Sequence, residues 1–199
     1  GLHVILQQDN STPVVAVTVT YHVGSKNERA DRTGFAHFME HLMFEGSENI
    51  PRGEYFKIVQ NAGGQVNAYT SQDKTHYYEL LPSNQLELAL WLESERMLHL
   101  VIDSVGVETQ RSVVKEERSQ SYDNRPYGSV IEEVFKRAYT KHPYNWLPIG
   151  SVQYIDQAQL KEFQDFHKTY YVPNNAVLVI AGDIDVKTTR KLVEKYFAD

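Results

Sequence analysis

The sequence predicts an α+β domain in which a mostly antiparallel sheet carries helices packed on it. Segments with strand character occur in runs, segments with helical periodicity occur in runs, and the two do not alternate strictly. That order is typical of α+β proteins rather than of doubly wound sheets. The chain has 199 residues, of which 41% are hydrophobic and 12% aromatic, enough for one packed domain.

The first half of the chain is predicted to hold four strands and two helices. The strand at 14–23 is the clearest, because valine and tyrosine alternate with smaller or polar residues along it. The short turn at 72–74 indicates that the strands on either side of it pair antiparallel. In order, the elements are strands at 2–7 and 14–23, a polar loop at 24–34, a helix at 35–45 with Gly46 as its C-cap, a helix opened by Pro51 and ended by Gly63-Gly64, and strands at 65–71 and 75–81.

The second half is predicted to be mainly helical. A helix that begins near Ser83 places Leu86, Leu90, Met97 and Val101 on one stripe. Asp185 can cap a last helix, which follows a break at Gly182-Asp183. Between them lie predicted helices at 107–122, 130–139 and 157–170 and a compact apolar strand at 176–181.

Composition excludes several classes of function. The net charge is −6 with both signs interspersed, which argues against a nucleic-acid binder that works through a basic face. No apolar run is long enough for a membrane span, and no signal peptide is present in these residues. Cysteine is absent, so any metal ion has to be held by His, Asp and Glu.

The sharpest motif is His37-Phe38-Met39-Glu40-His41 within a predicted helix. Histidines four residues apart lie on one helix face, where both can reach one metal ion. Glu40 projects from the same side and can act as general base towards a metal-activated water. This is the HxxEH order of zinc peptidases; the plainer interpretation is two surface histidines beside a solvated glutamate.

A catalytic zinc site needs a third protein ligand, which here can only be His, Asp or Glu. Glu116 and Glu117 lie in a predicted helix, each three residues after one valine of the pair Val113-Val114. Periodicity does not choose between the two glutamates. An ordinary charged helix surface is the alternative that this spacing leaves open.

The motif belongs to a longer series that resembles one peptidase family. After HFMEH at 37–41 come GGQVNAYT at 63–70, DKTHYY at 73–78, QRSVVKEER at 110–118, DNRPYG at 123–128, HPY at 142–144 and AGD at 181–183. Together they resemble the pitrilysin, or insulinase, family of zinc metallopeptidases, which includes the mitochondrial processing peptidase. The resemblance covers essentially the whole chain, in the family's order.

The resemblance implies a set of roles. His37, His41 and Glu117 would hold Zn²⁺, and Glu40 would be the catalytic base. Asn67 and Ala68 would lie on an edge strand that pairs with an extended peptide substrate. Gln110 departs from the pattern, since many relatives carry a glutamate seven residues before the glutamate ligand.

The resemblance also implies an organisation and a function. Residues 1–199 would form a single N-terminal zinc peptidase unit with the family's metallohydrolase fold, without the C-terminal unit or units of longer relatives. The unit would hydrolyse peptides or unfolded protein segments, in the bacterial cytoplasm or periplasm. A homologous C-terminal unit or partner subunit would be needed for full activity. The alternative is a non-catalytic scaffold or partner subunit of the same family.

Overall fold

The computed structural model describes residues 1–198, which form five strands and eight helices, with short 3₁₀ segments between them. The strands are β1 (His3–Gln8), β2 (Val14–Tyr21), β3 (Gln65–Thr70), β4 (Thr75–Pro82) and β5 (Ala176–Gly182). The helices are α1 (Phe35–Leu42), α2 (Tyr55–Asn61), α3 (Leu86–Leu98), α4 (Ser104–Arg118), α5 (Val130–Ala138), α6 (Val152–Gln157), α7 (Leu160–Tyr170) and α8 (Val186–Phe197).

The strands form one sheet in the order β1-β5-β2-β4-β3. β1 and β5 run parallel, and the other three neighbouring pairs are antiparallel. The predicted fold class, α+β with a mostly antiparallel sheet, is therefore confirmed. β3 lies at one edge of this sheet, as the resemblance implied, and its outer side faces no other described strand.

The core lies between one face of the sheet and the helices. Val15, Val17, Val19 and Tyr21 on β2 are fully buried, as their alternation predicted. α3 packs on β2 and β4, and α8 packs on α3 and β1. α1 lies where the sheet meets the other helices, against β3, β4, α4 and α7. No helix within residues 1–198 is long and apolar enough to cross a membrane.

Several helix ends differ from the prediction. α1 ends at Leu42, because the chain turns at once: the Phe44 backbone N–H donates to the carbonyl of His41, three residues back. Residues 51–54 form a turn, so the helix after Pro51 begins only at Tyr55. α3 ends at Leu98, so Val101, which was predicted to lie on the apolar stripe of this helix, is outside it.

Two other predicted helices have a different extent. α4 begins at Ser104, where the Asp103 side chain accepts the Gly106 N–H, and it passes at Ser119 into one π-helical turn. The helix predicted at 157–170 is α7, which begins three residues later, at Leu160; α6, at 152–157, was not predicted. A capping box between Gln159 and Glu162 starts α7.

Candidate metal centre

The start of α1 is held in place from outside the helix. Gly34 occupies the N-cap position, has no side chain to cap with and adopts φ 98°. The carboxylate of Glu28 takes over this role by accepting the backbone N–H groups of Gly34 at 2.9 Å and Ala36 at 2.8 Å. The indole N–H of Trp146 donates to the same carboxylate at 3.1 Å, so residues distant in sequence fix where α1 begins.

A close backbone contact reinforces this anchor. A Cβ atom added to Gly150 would lie 2.3 Å from the Cα of Gly34, closer than atoms can approach. Residue 150 therefore has to be glycine for the loop after Leu147 to lie against the start of α1. The start of the helix that carries HxxEH is thus positioned by two tertiary contacts, one with Glu28 and one with Gly150.

His37 and His41 share one face of α1, with ring centroids 4.8 Å apart. α4 packs against α1 and adds Glu117 to the pair. One oxygen of Glu117 lies 3.6 Å from His37 Nε2, and the other lies 3.3 Å from His41 Nε2. Glu116 points elsewhere: it is exposed and accepts a hydrogen bond from Gln120. The packing of α4 therefore brings together His37, His41 and Glu117 and leaves Glu116 out.

The donor set fits a zinc ion. One ligand atom from each of His37, His41 and Glu117 lies within 4.8 Å of the other two. Tetrahedral zinc with bonds of about 2.0–2.2 Å places its donor atoms roughly 3.3–3.6 Å apart. Each histidine Nε2 lies at about that distance from Glu117, but from a different oxygen of the carboxylate, 3.3 Å for His41 and 3.6 Å for His37. Two imidazoles and one carboxylate are also a ligand set found in catalytic zinc sites.

Protonation at the cluster also suits a cation. Burial, and then the neighbouring His41, lower the pKa of His37 to about 4, so its ring is neutral near pH 7. The hydrogen bond from His41 lowers the pKa of Glu117. Burial alone would lower the pKa of His41, but Glu117, Glu40 and Gln110 together raise it. The site therefore offers a neutral imidazole and a carboxylate that have electron pairs to share.

Glu40 lies beside the cluster but is not part of the metal-binding set. The Thr70 hydroxyl, at the end of β3, donates to Glu40 Oε2 at 2.6 Å and orients the carboxylate. Burial raises the pKa of Glu40 above its usual range, and the Thr70 hydrogen bond opposes that shift. A carboxyl whose pKa is shifted towards neutrality is suited to taking and giving protons.

A cavity of about 300 Å³ opens next to Glu40 and His41. Asn67 and Ala68 of the edge strand line it, so both residues predicted to bind substrate lie in the same cavity as Glu40 and His41. The rest of its lining is largely apolar, from Phe44, Phe56 and Val113, with Gln110 as a further polar group.

Sequence reasoning missed three contacts that shape the site: Thr70 on Glu40, Glu28 on α1, and Glu45 on Gln110. The contact of Glu45 with Gln110 had a signal. Glu45 comes four residues after His41, about one helical turn further along, and Gln110 comes seven residues, about two turns, before Glu117. The contact of Glu28 had none, because it depends on how a loop folds back.

Comparison with known proteins places the chain in a family. Residues 3–147 match the profile of insulinase, peptidase family M16, and residues 157–199 match that of the peptidase M16 inactive domain. The chain therefore belongs to the M16, or insulinase, peptidase family, as its motifs indicated.

Among its relatives is the zinc protease PqqE of Helicobacter pylori, 39% identical over 198 residues, which cover 99% of this chain and 45% of that protein. The crystal structure of a protease from Helicobacter pylori superposes with a TM-score of 0.96 at 39% identity, over 99% of this chain and 48% of the other. The first half of the periplasmic protease PqqL from Escherichia coli superposes with a TM-score of 0.89 at 26% identity, covering 100% of this chain and 44% of that one. The chain thus spans less than half the length of these relatives.

Proposed function

We propose that this chain is the metal-bearing unit of a zinc metalloendopeptidase that hydrolyses peptides or unfolded protein segments. One observation carries the proposal: ligand atoms of His37, His41 and Glu117 lie within 4.8 Å of one another, beside Glu40. Membership of the M16 family and the zinc protease among its relatives support it.

The residues divide the chemistry between them. A zinc ion held by His37, His41 and Glu117 would supply Lewis-acid chemistry, making water more acidic and polarising a carbonyl oxygen. Glu40 takes the proton of the attacking water and returns it to the leaving amine of the peptide bond. The Thr70 hydroxyl keeps the Glu40 carboxylate aimed while it does so.

The edge strand β3 offers the substrate a place to bind. An extended peptide can add itself to a free sheet edge through backbone hydrogen bonds. At this edge the Asn67 side chain accepts the backbone N–H of Ala68 at 2.8 Å, so a bound peptide has to displace it or bond around it. The apolar cavity beside Glu40 suits an apolar side chain of that peptide.

A second unit belongs to the proposal. We infer that residues 1–199 act as a single unit that joins a homologous C-terminal unit or partner subunit, because the relatives are about twice as long. Peptide bound to β3 would then lie between two units, and turnover by this unit alone would be weak or absent. The bacterial cytoplasm or periplasm stays the predicted compartment; one relative is described as periplasmic.

Elemental analysis of protein purified without chelator tests the metal site. The wild-type chain should carry about one zinc, the His41→Ala variant none, and the Glu40→Gln variant about one, since Glu40 is not a ligand. No zinc in the wild type after incubation with excess metal would overturn the proposal.

A non-catalytic scaffold of the same family is the second candidate, and the neutral Gln110 favours it. Peptide hydrolysis by the chain combined with its second unit decides between the two. If the chain is an enzyme, Glu40→Gln lowers the rate about 10²–10⁴-fold while zinc is retained. A scaffold would show no difference between wild type and variant.

A further inference from the structure

The side chain of Gln110 lies between His41 on α1 and Glu45, three residues after the end of that helix. Its Oε1 is 3.0 Å from Nδ1 of His41, and its Nε2 donates to Oε1 of Glu45. Glu45 is buried and ion-paired with Arg52, whose Nε lies 2.6 Å from the carboxylate. A carboxylate held in this way has only acceptors to offer Gln110.

The chain of contacts continues to α4. Nη2 of the Arg52 guanidinium donates to Asp103 Oδ1 at 2.8 Å, and the same oxygen accepts the backbone N–H of Gly106 at the start of α4. A Cβ on Gly106 would lie 3.3–3.4 Å from side-chain atoms of Arg52, Asp103 and Glu45, so glycine leaves room for this cluster. Glu45 is therefore held by Arg52 from the turn before α2 and by Gln110 from α4.

The direction of each hydrogen bond follows from Glu45. Because Glu45 only accepts, the NH₂ group of Gln110 has to face it, and the amide oxygen has to face His41. An amide oxygen also only accepts, so Nδ1 of His41 has to carry the hydrogen. Without metal, a hydrogen on Nε2 can donate to Glu117, 3.3 Å away. A bound metal ion would take the place of that hydrogen, and Nδ1 would keep its own.

We propose that Gln110 and Glu45 are a paired positioning device that fixes His41 in the Nδ1–H tautomer, with Nε2 directed at the metal. The inference rests on the proposed zinc site. It also explains why residue 110 is a glutamine: a carboxylate there would face the carboxylate of Glu45 with no hydrogen between them. Glu45 supplies the carboxylate instead, behind Gln110 as seen from His41. The Gln110 amide links the two, so that Glu45 orients the His41 ring indirectly.

A reciprocal exchange tests the pairing. Gln110→Glu alone sets two carboxylates together, whereas Gln110→Glu with Glu45→Gln restores a donor facing an acceptor. Zinc affinity, measured by competition with a chromophoric chelator, should fall about 10–100-fold in Gln110→Glu and in Gln110→Leu and return to within about threefold of wild type in the exchanged double variant. Gln120→Leu, an exposed glutamine on the π-helical turn after α4, is the matched control and should leave affinity unchanged.

The tautomer is read without metal. The test uses ¹⁵N-labelled metal-free protein that carries Glu117→Ala, which removes the acceptor on the Nε2 side of His41. In this background, near pH 8, the side-chain spectrum of His41 should show Nδ1–H alone with Gln110 in place and in the exchanged variant, and both tautomers with Gln110→Leu. An unchanged thermal midpoint confirms that each variant is folded. The pairing is wrong if the exchanged variant binds zinc as weakly as Gln110→Glu, or if Gln110→Leu leaves His41 as Nδ1–H.

The proposed function fails separately. If His41 shows the Nδ1–H tautomer in the Glu117→Ala background but the wild-type chain binds no zinc, the positioning pair stands and the proposed peptidase function is wrong. A wild-type chain that binds zinc as tightly as Gln110→Leu retains the metal site and loses the pairing.

Discussion

Two clusters of ionisable side chains have Phe44 as a common neighbour and differ in how their negative charge is balanced. The arginine cluster, Glu79, Glu93 and Arg96, is fully buried and contains its own cation. The guanidinium of Arg96 pairs with Glu93 and lies over the rings of Tyr77, Phe44 and Tyr55, at 4.3, 4.9 and 4.9 Å.

The histidine cluster, His37, His41 and Glu117, has no such cation. Glu117 keeps 42% of its side chain exposed, and no lysine or arginine within residues 1–198 forms an ion pair with it. A buried acidic group needs a partner charge or a proton. The arginine cluster therefore contains the charge that its buried carboxyls need, whereas the histidine cluster is partly open to solvent, as the proposed zinc site requires.

The largest effect is expected from removing the internal cation. Arg96→Leu leaves Glu79 and Glu93 buried without their partner and should lower the free energy of unfolding by about 3–5 kcal/mol, measured by urea denaturation. Arg96→Leu combined with Glu93→Leu should recover most of that loss, because apolar packing replaces the ion pair. A loss below about 1 kcal/mol in the single variant would show that the arginine is not needed by the cluster.

The arginine cluster should also make stability depend on pH. Burial, and then the charge of Glu93, raise the pKa of Glu79 to about 8, against about 4.5 for an exposed glutamate. Between these two pKa values the folded state holds a proton that the unfolded state has released, so the contribution of Glu79 to stability is largest below pH 4.5 and declines as pH rises towards 8. That decline is on the order of 5 kcal/mol.

Urea denaturation at several pH values checks this slope. Glu79→Gln removes the titrating group, so its stability should stay flatter than that of wild type between pH 4.5 and 8. Parallel curves for the two proteins would place the origin of the slope elsewhere.

Zinc should stabilise the chain only through the histidine cluster. At about 100 times its Kd, a ligand that binds the folded state alone adds about 2.7 kcal/mol. The wild type should therefore unfold at a higher urea concentration with zinc, and His41→Ala should not respond. Equal stabilisation of both proteins would mean that zinc binds at another place.

The smallest effect is expected at the exposed neighbour of the proposed ligand. Glu116→Ala should leave zinc affinity within about twofold of wild type and stability within about 0.5 kcal/mol. Glu117→Ala, one position further on, should lose stoichiometric zinc. Chelator competition compares the two, and a zinc loss in Glu116→Ala would reverse the assignment.

Local patterns predicted most of the fold. Alternation in β2, the turn between β3 and β4 and the Asp185 cap of α8 depend on neighbouring residues, and all three are as predicted. The helix predicted at 157–170 is present as α7 but begins later, and α6 before it was not predicted. Arg111, more than 40 positions earlier, donates to the carbonyls of Ile155 and Ala158 where α6 ends, a tertiary contact that no local pattern shows.

The same distinction holds at the candidate site. His37, Glu40 and His41 are one helical turn of sequence, so their common face followed from spacing alone. Choosing Glu117 over Glu116 required the family resemblance, because only the packing of α4 on α1 decides which side of α4 faces the histidines. The opposing directions of donor and acceptor around Gln110 depend on Glu45, 65 positions away.

The parallel pairing of β1 with β5 has a consequence for how the chain folds during synthesis. His3 pairs with Val177, 174 positions later, and β5 also separates β1 from β2 in the sheet. At about 5–20 residues per second, the ribosome needs roughly 10–35 s between these two residues. For that time β1 lacks its partner strand in the sheet, and the helix that carries HxxEH is complete long before this sheet is.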